Sequence, residues 1–441
     1  MNHFQMSHQW TFAHTAEPEE THTMCRLELA VGKHTLTQNE DIFSQTVSDL
    51  VLVSALPLAQ WFAASWWRLL SEPLPPKNIR PSSGFRMSHE IGAAGAGYVW
   101  PQVLFATDRE AMQVWAAPSR QNEQQSVRYL NGLITPASVS MSEFESRVEN
   151  FINSVIARLD AKGSCQNSLK SLWLEVLDER SDVETSMARR CEAELGYDPD
   201  ECPENALNAA LNLKRRLGDS TLSELAPVFG KETGVDSIGK LSALIDSPGL
   251  IGRPVFPTIA CENSLSAAPW ERAVADARSL RSELGMNSDK VETETLCDLL
   301  GIRLKDVEDF IPRDGSVAAV GKPVDETRIA IIPRRRHPNG RRFELARFVG
   351  DYLKCSERGP QWLASTDLST SRQKYQRAFA AEFLCPINNL QEFLEDDFSD
   401  DAIEDAVEHF GISPDTVRSL LANNNLLYRG YGRAALPYAV S

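Results

Sequence analysis

No two of the eight cysteines in this 441-residue chain form a CxxC pair; they fall at positions 25, 165, 191, 202, 261, 297, 355 and 385. That scatter gives neither a zinc ribbon nor a disulfide frame, so they read as reduced thiols, mostly core fillers, of a cytoplasmic protein. Positive charge is also in short supply. Lys and Arg total 45 against 61 Asp and Glu, a net charge of −16, which opposes non-specific attraction to nucleic acid or to an anionic membrane. The opening MNHFQMSHQW lacks the basic segment and apolar run of a secretory signal. One charge-free run, residues 50–67, approaches membrane-spanning length. Pro57, Gln60 and Ser65 interrupt it, and no Lys/Arg cluster flanks it to set an orientation. It divides better into a buried strand over 50–54 and a helix opened by Pro57 and running to Leu70, with Trp61, Trp66 and Trp67 in a core or domain face.

A chain of this length with 42% hydrophobic residues can bury more than one core. The patterning is α+β. Residues 1–140 alternate in strand fashion: WTFAHT (10–15) with CRLELAV (25–31), then a hairpin of 98–106 and 111–117 about Thr107–Glu110, then a strand at 127–134. GAAGAG at 92–97 has no strand before it and helix after it, so it reads as a turn entering the hairpin and not as a nucleotide loop. His89-Glu90 has no second His four residues on, so it is no zinc motif. Residues 141–285 turn helical, beginning with MSEFESRVENFINSVIARLDA (141–161) behind Ser140 as a candidate N-cap. The helix–turn–helix rhythm of 221–245 offers only Lys231 and Lys240, too few basic side chains for a DNA-reading helix.

The most informative stretch lies further on, in the third region, 286–441. RFELARFVGDYL (342–353) places Glu344, Arg347 and Asp351 in one narrow helical sector and surrounds them with apolar residues. Such a helix is expected to be buried on most sides, with the charged stripe toward water, a cleft or a partner. Spacings of i,i+3 and i,i+4 let the stripe pair with itself. The basic run RRRHPNGRR (334–342) precedes it and is expected to be a solvated turn. Glu344, Arg347 and Asp351 with Arg334, Arg335 and Arg336 therefore make a candidate binding surface.

This segment resembles the active-site helix of ImmA/IrrE-type metallopeptidases, which typically reads RFTLAHELGHYL. There two His at i and i+4 bind zinc and the Glu between them is the general base. In this chain Arg347 falls at the first ligand, Phe348 at the base and Asp351 at the second ligand. Arginine has no lone pair for a metal and phenylalanine accepts no proton. YQRAFAAEFLCP (375–386) is similar to the family's EANAFAAELLMP segment, whose third ligand is a Glu upstream of FAA; here the candidate positions hold Gln373 and Tyr375. VETETLCDLLGIRL (291–304) resembles the helical lead-in, 316–333 the strands, and 398–427 the terminal helix-turn-helix-like pair.

The resemblance implies a zincin-like C-terminal domain without zinc or other cofactor, a catalytically inactive pseudo-peptidase. It implies an interaction or regulatory role in a bacterial stress-response, mobile-element, toxin–antitoxin or phage-defence setting, with a toxin, repressor or defence-system subunit as protein partner and no membrane attachment. Two alternatives stay open. One is a metal-dependent enzyme using Asp351, Glu344 and Glu382, carboxylates that suit Mg or Ca better than Zn. The other is a DNA-binding regulator, which the nine acidic residues and absent Lys and Arg of 392–408 disfavour.

Overall fold

A computed structural model describes residues 1–76, 79–120, 125–231, 237–257, 268–286, 290–355, 361–427 and 436–437. The chain divides into two compact units, one built chiefly from Met1–Leu211 and the other from Asn212–Phe229 and Asp236–Tyr431. Both mix helix and strand. Among the described residues no helix is long and apolar enough to cross a membrane.

In the first unit, strand Phe4–Trp10 pairs antiparallel with Met24–Val31, Phe4 facing Val31 and Trp10 facing Cys25, and Val51–Ser54 borders the other edge. The sequence puts the first of these strands at 10–15, where aromatic residues alternate. The strand that forms instead buries only Phe4, so its pairing rests on backbone hydrogen bonds that leave little hydrophobic pattern, while Phe12 is 72% exposed. The hairpin forms as expected, Gln102–Thr107 against Ala111–Ala117. Asp108 tightens its turn by accepting the Ala111 N–H at 2.9 Å. Of residues 127–134 only Val127–Tyr129 is a strand.

The charge-free run becomes strand Val51–Ser54 and helix Ala55–Ala64, capped by the Ser54 hydroxyl, followed after Ser65 by a second short helix, Trp66–Ser71. Trp61, Trp66 and Trp67 are all buried in the core. Helix Met141–Ala161 covers that core with Phe144, Val148, Phe151, Ile152, Val155 and Leu159. Ser140 precedes it but does not cap it; its hydroxyl meets that of Ser142 at 2.8 Å.

The second unit holds a four-stranded antiparallel sheet in the order Leu250–Gly252, Ile329–Ile332, Ala319–Pro323, Leu363–Ser365. Helix Pro338–Cys355 packs on the Leu363–Ser365 strand and on helix Ser371–Leu384, which in turn packs on Pro269–Glu283. The contact between helices Pro338–Cys355 and Ser371–Leu384 depends on Gly350. A Cβ there would lie 2.6 Å from Cγ of Phe379, so only glycine admits the ring so close to the helix. Towards the C-terminus, the acidic segment 392–408 enters the helix pair Asp400–Phe410 and Pro414–Asn423, capped by Ser399 and Ser413. Of the 221–245 rhythm, helix Asp219–Leu225 and helix Ser237–Ile245 form, and 232–236 lie outside the described residues.

Candidate functional site

The site is the face of helix Pro338–Cys355 that bears Glu344, Arg347 and Asp351. The sequence expects this stripe to meet water or a cleft and to pair with itself, and the structure departs on both counts. The three residues are 1, 4 and 1% exposed. Each is satisfied from another element. Glu344 accepts Arg334 Nε at 3.0 Å on one oxygen and the Arg334 backbone N–H at 2.8 Å on the other. Asp351 accepts Arg372 Nε and Nη2, one per oxygen, at 2.7 Å each, together with the Ala364 N–H at 3.3 Å. Arg347 donates Nη2 to the Thr366 carbonyl at 2.8 Å and to Oε1 of Gln373. The reason is energetic. A pair along an exposed helix is worth a few tenths of a kcal/mol, whereas a buried charge left unpaired costs several. Once the stripe lies against the neighbouring strand and helix, partners from those elements win.

Gln373 and Arg347 thus meet, although 26 residues separate them. Thr370 caps the Gln373 helix, and the Gln373 amide is held on every side. Its Oε1 accepts the Thr366 N–H at 2.9 Å, and its Nε2 donates to the Ala364 carbonyl at 3.0 Å and to Glu224 at 2.9 Å. Glu224 also accepts the Thr370 hydroxyl at 2.7 Å. Gln376 donates to the same Ala364 carbonyl at 2.9 Å. Tyr375, the other candidate position, turns away and donates its hydroxyl to Asp276 at 2.6 Å. Phe348 is fully buried in the apolar core with Leu345, Val349 and Phe379.

Arg347 has no carboxylate partner among the described residues, and its Nε makes no hydrogen bond. Burial, reinforced by the nearby Arg377 and Arg334 cations, pulls its pKa down to about 9. Arg334 shows the opposite balance. Burial works against its charge, but the hydrogen bonds and charges of Asp367 and Glu344 outweigh it and raise the pKa. Asp367 is held low in turn, Arg334 overcoming the cost of its own burial.

The basic run 334–342 is not a uniformly solvated turn. Of its arginines, Arg334, Arg341 and Arg342 are buried and only Arg335 and Arg336 are exposed. Arg334 Nη1 donates to the Val317 carbonyl at 2.7 Å, Arg341 to the carbonyls of Val307 and Phe310, and Arg342 to that of Val291. The guanidinium fork supplies enough donors to satisfy several carbonyls at once, which makes its burial tolerable. Of the candidate binding surface only Arg335 and Arg336 are exposed; Glu344, Arg347, Asp351 and Arg334 are buried.

The carboxylates of the metal-enzyme alternative do not converge. Glu344 is bound to Arg334, Asp351 to Arg372, and Glu382 to Arg278 at 2.7 Å. Among the described residues no three His, Cys, Asp or Glu side chains are grouped so as to hold a metal ion. Sequence reasoning missed Arg372, Glu224, Asp367 and Arg377. Arg372 stands beside Gln373 in the first turn of the same helix, which is a faint signal. Glu224, 149 residues from its partner Gln373, gave none. Comparison of the chain with protein-family models, curated proteins and solved structures finds no match.

Proposed function

We propose that the second unit is a degenerate ImmA/IrrE-type peptidase domain of zincin-like fold. On this reading the protein acts in the cytoplasm as a non-catalytic interaction or regulatory component, in a stress-response, mobile-element, toxin–antitoxin or phage-defence setting. The observation that supports the reading most is the contact between Arg347 and Gln373. The resemblance puts Arg347 at the first zinc ligand and makes Gln373 one of two candidate positions, with Tyr375, for the third; first and third ligands must approach one another in any active relative. Their meeting here is what a common arrangement would give, and the residues that meet are a guanidinium and a carboxamide. Asp351, at the second ligand position, has both oxygens engaged by Arg372. Phe348, in place of the base, faces the apolar core and offers nothing to activate water.

One experiment tests this directly. The full chain, purified without chelator, is assayed for zinc by elemental analysis and for cleavage of denatured protein substrates, while partners are captured from the native host by crosslinking. The reading predicts no stoichiometric zinc, no cleavage and a specific protein partner. One tightly held zinc per chain, with hydrolysis lost on chelation, would overturn it.

A further inference from the structure

Residues 366–368, between strand Leu363–Ser365 and helix Ser371–Leu384, collect an unusual set of cations. Arg347 Nη2 binds the Thr366 carbonyl at 2.8 Å. Arg334 and Arg335 hold the Asp367 carboxylate at 2.7 and 3.1 Å. Arg377 Nη2 binds the Leu368 carbonyl at 2.8 Å. Asp367 is the carboxylate that Arg334 and Arg335 share. Glu344 makes an ion pair with Arg334 and, with Asp367, favours the Arg347 charge from a distance. Glu224 lies close enough to favour the Arg377 charge but spends its hydrogen bonds on Thr370 and Gln373. Arg347 and Arg377 consequently carry charge bound to carbonyls and amide oxygen, without an ion pair among the described residues. Burial depresses the pKa of both, reinforced at Arg347 by Arg377 and Arg334 and at Arg377 by Arg334, and the nearby carboxylates do not offset it. A buried guanidinium whose direct partners are all neutral oxygens is unfavourable, and an anion in contact with it relieves that cost.

The cluster is not sealed. The Arg335 and Asp367 side chains are 48 and 50% exposed, and Arg377 is partly exposed, so the outer edge of the cluster meets solvent. We propose that the arginines around residues 366–368 form an oxyanion site that takes a phosphate group, with Arg335 and Arg377 at the mouth and Arg347 behind. Phosphate fits better than carboxylate because the donors come from several directions. One planar guanidinium fork already satisfies a carboxylate, whereas a tetrahedral anion presents oxygens to several cations at once. The site requires nothing of the peptidase reading and stands if that reading fails.

Isothermal titration of the full chain with inorganic phosphate, and separately with adenosine 5′-monophosphate, tests it against sodium chloride at matched ionic strength. Saturable binding is expected for at least one probe. Tighter binding of the ester identifies an esterified phosphate as the ligand, and tighter binding of the free ion identifies inorganic phosphate. Asp367→Asn removes the competing carboxylate and should tighten binding about tenfold; Arg335→Gln, an exposed change, should weaken it about tenfold. Arg328→Gln, whose partner Asp325 sits in a different turn, should leave it unchanged. Circular dichroism confirms folding of each variant. No saturable binding of either probe, or binding indifferent to Asp367→Asn and Arg335→Gln alike, overturns the proposal.

Discussion

Arg372 grips Asp351 with two parallel hydrogen bonds, Nε to one carboxylate oxygen and Nη2 to the other, each 2.7 Å long. Asp351 is almost wholly enclosed. Breaking a buried pair from one side strands the other charge in low dielectric, which costs more than the pair was worth. Arg372→Ala should therefore lower unfolding free energy by about 3–5 kcal/mol. The double change Arg372→Met with Asp351→Leu should cost much less. Urea unfolding of the three proteins decides it. If the double variant is as unstable as the single one, packing rather than charge holds the site.

Phe348→Ala removes a ring with no solvent exposure from the core of the second unit. Transfer and cavity contributions together predict a loss of about 3–4 kcal/mol. A loss below about 0.5 kcal/mol, the size of an ordinary surface change, would contradict the burial of the ring.

Arg347 links stability to pH in a definite direction. Its folded-state pKa, about 9, lies below its ordinary value. Below that pKa the group is charged in both states and the folded state bears the cost of burying the cation. As pH rises through about 9 the folded state releases its proton before the unfolded one does, so the cost falls. The wild-type urea midpoint, relative to that of Arg347→Met, should therefore climb between about pH 8 and about pH 11. Measurements in phosphate-free buffer keep anion binding out of the comparison. A constant gap across that range would show that Arg347 is not a desolvated cation.

Gly350→Ala sets two effects against each other. Intrinsic propensity favours alanine in a helix by about 1 kcal/mol, but the new methyl would stand 2.6 Å from Cγ of Phe379. Phe379 has no solvent exposure and cannot swing away, so the clash should win with a net loss of about 1–3 kcal/mol. A raised melting temperature in scanning calorimetry would show that the helix–helix spacing is relaxed easily.

Elements with strong periodicity were the legible ones. Helix 141–161 could be read directly because it buries a regular set of side chains, and the 102–117 hairpin because two apolar runs flank a short polar turn. Strand Phe4–Trp10 could not, since one buried residue carries its packing and the partner strand carries the rest. For the candidate site, helical geometry put Glu344, Arg347 and Asp351 in one sector and placed Phe348 in the core. It could not say which way the charged sector faced. That depended on Arg334, Arg372 and Gln373, which come from other elements and are selected by long-range packing that leaves no local spacing. Partners at i,i+4 along the stripe are inadequate once it is desolvated, because their worth on an exposed helix is far below the cost of a buried charge.

The arginine-rich connection before the site also changes how the folded chain meets a protease. Trypsin needs an accessible, extensible segment with an exposed basic side chain. Within 334–342 only Arg335 and Arg336 present one, while Arg334, Arg341 and Arg342 have their guanidiniums occupied by carbonyls inside the fold. Nicking of the native protein should thus be confined to the two outward arginines, with Arg341 and Arg342 becoming cleavable only when the helix that contains them lets go. A stretch whose composition advertises maximal susceptibility is guarded by the same side chains that make it look vulnerable.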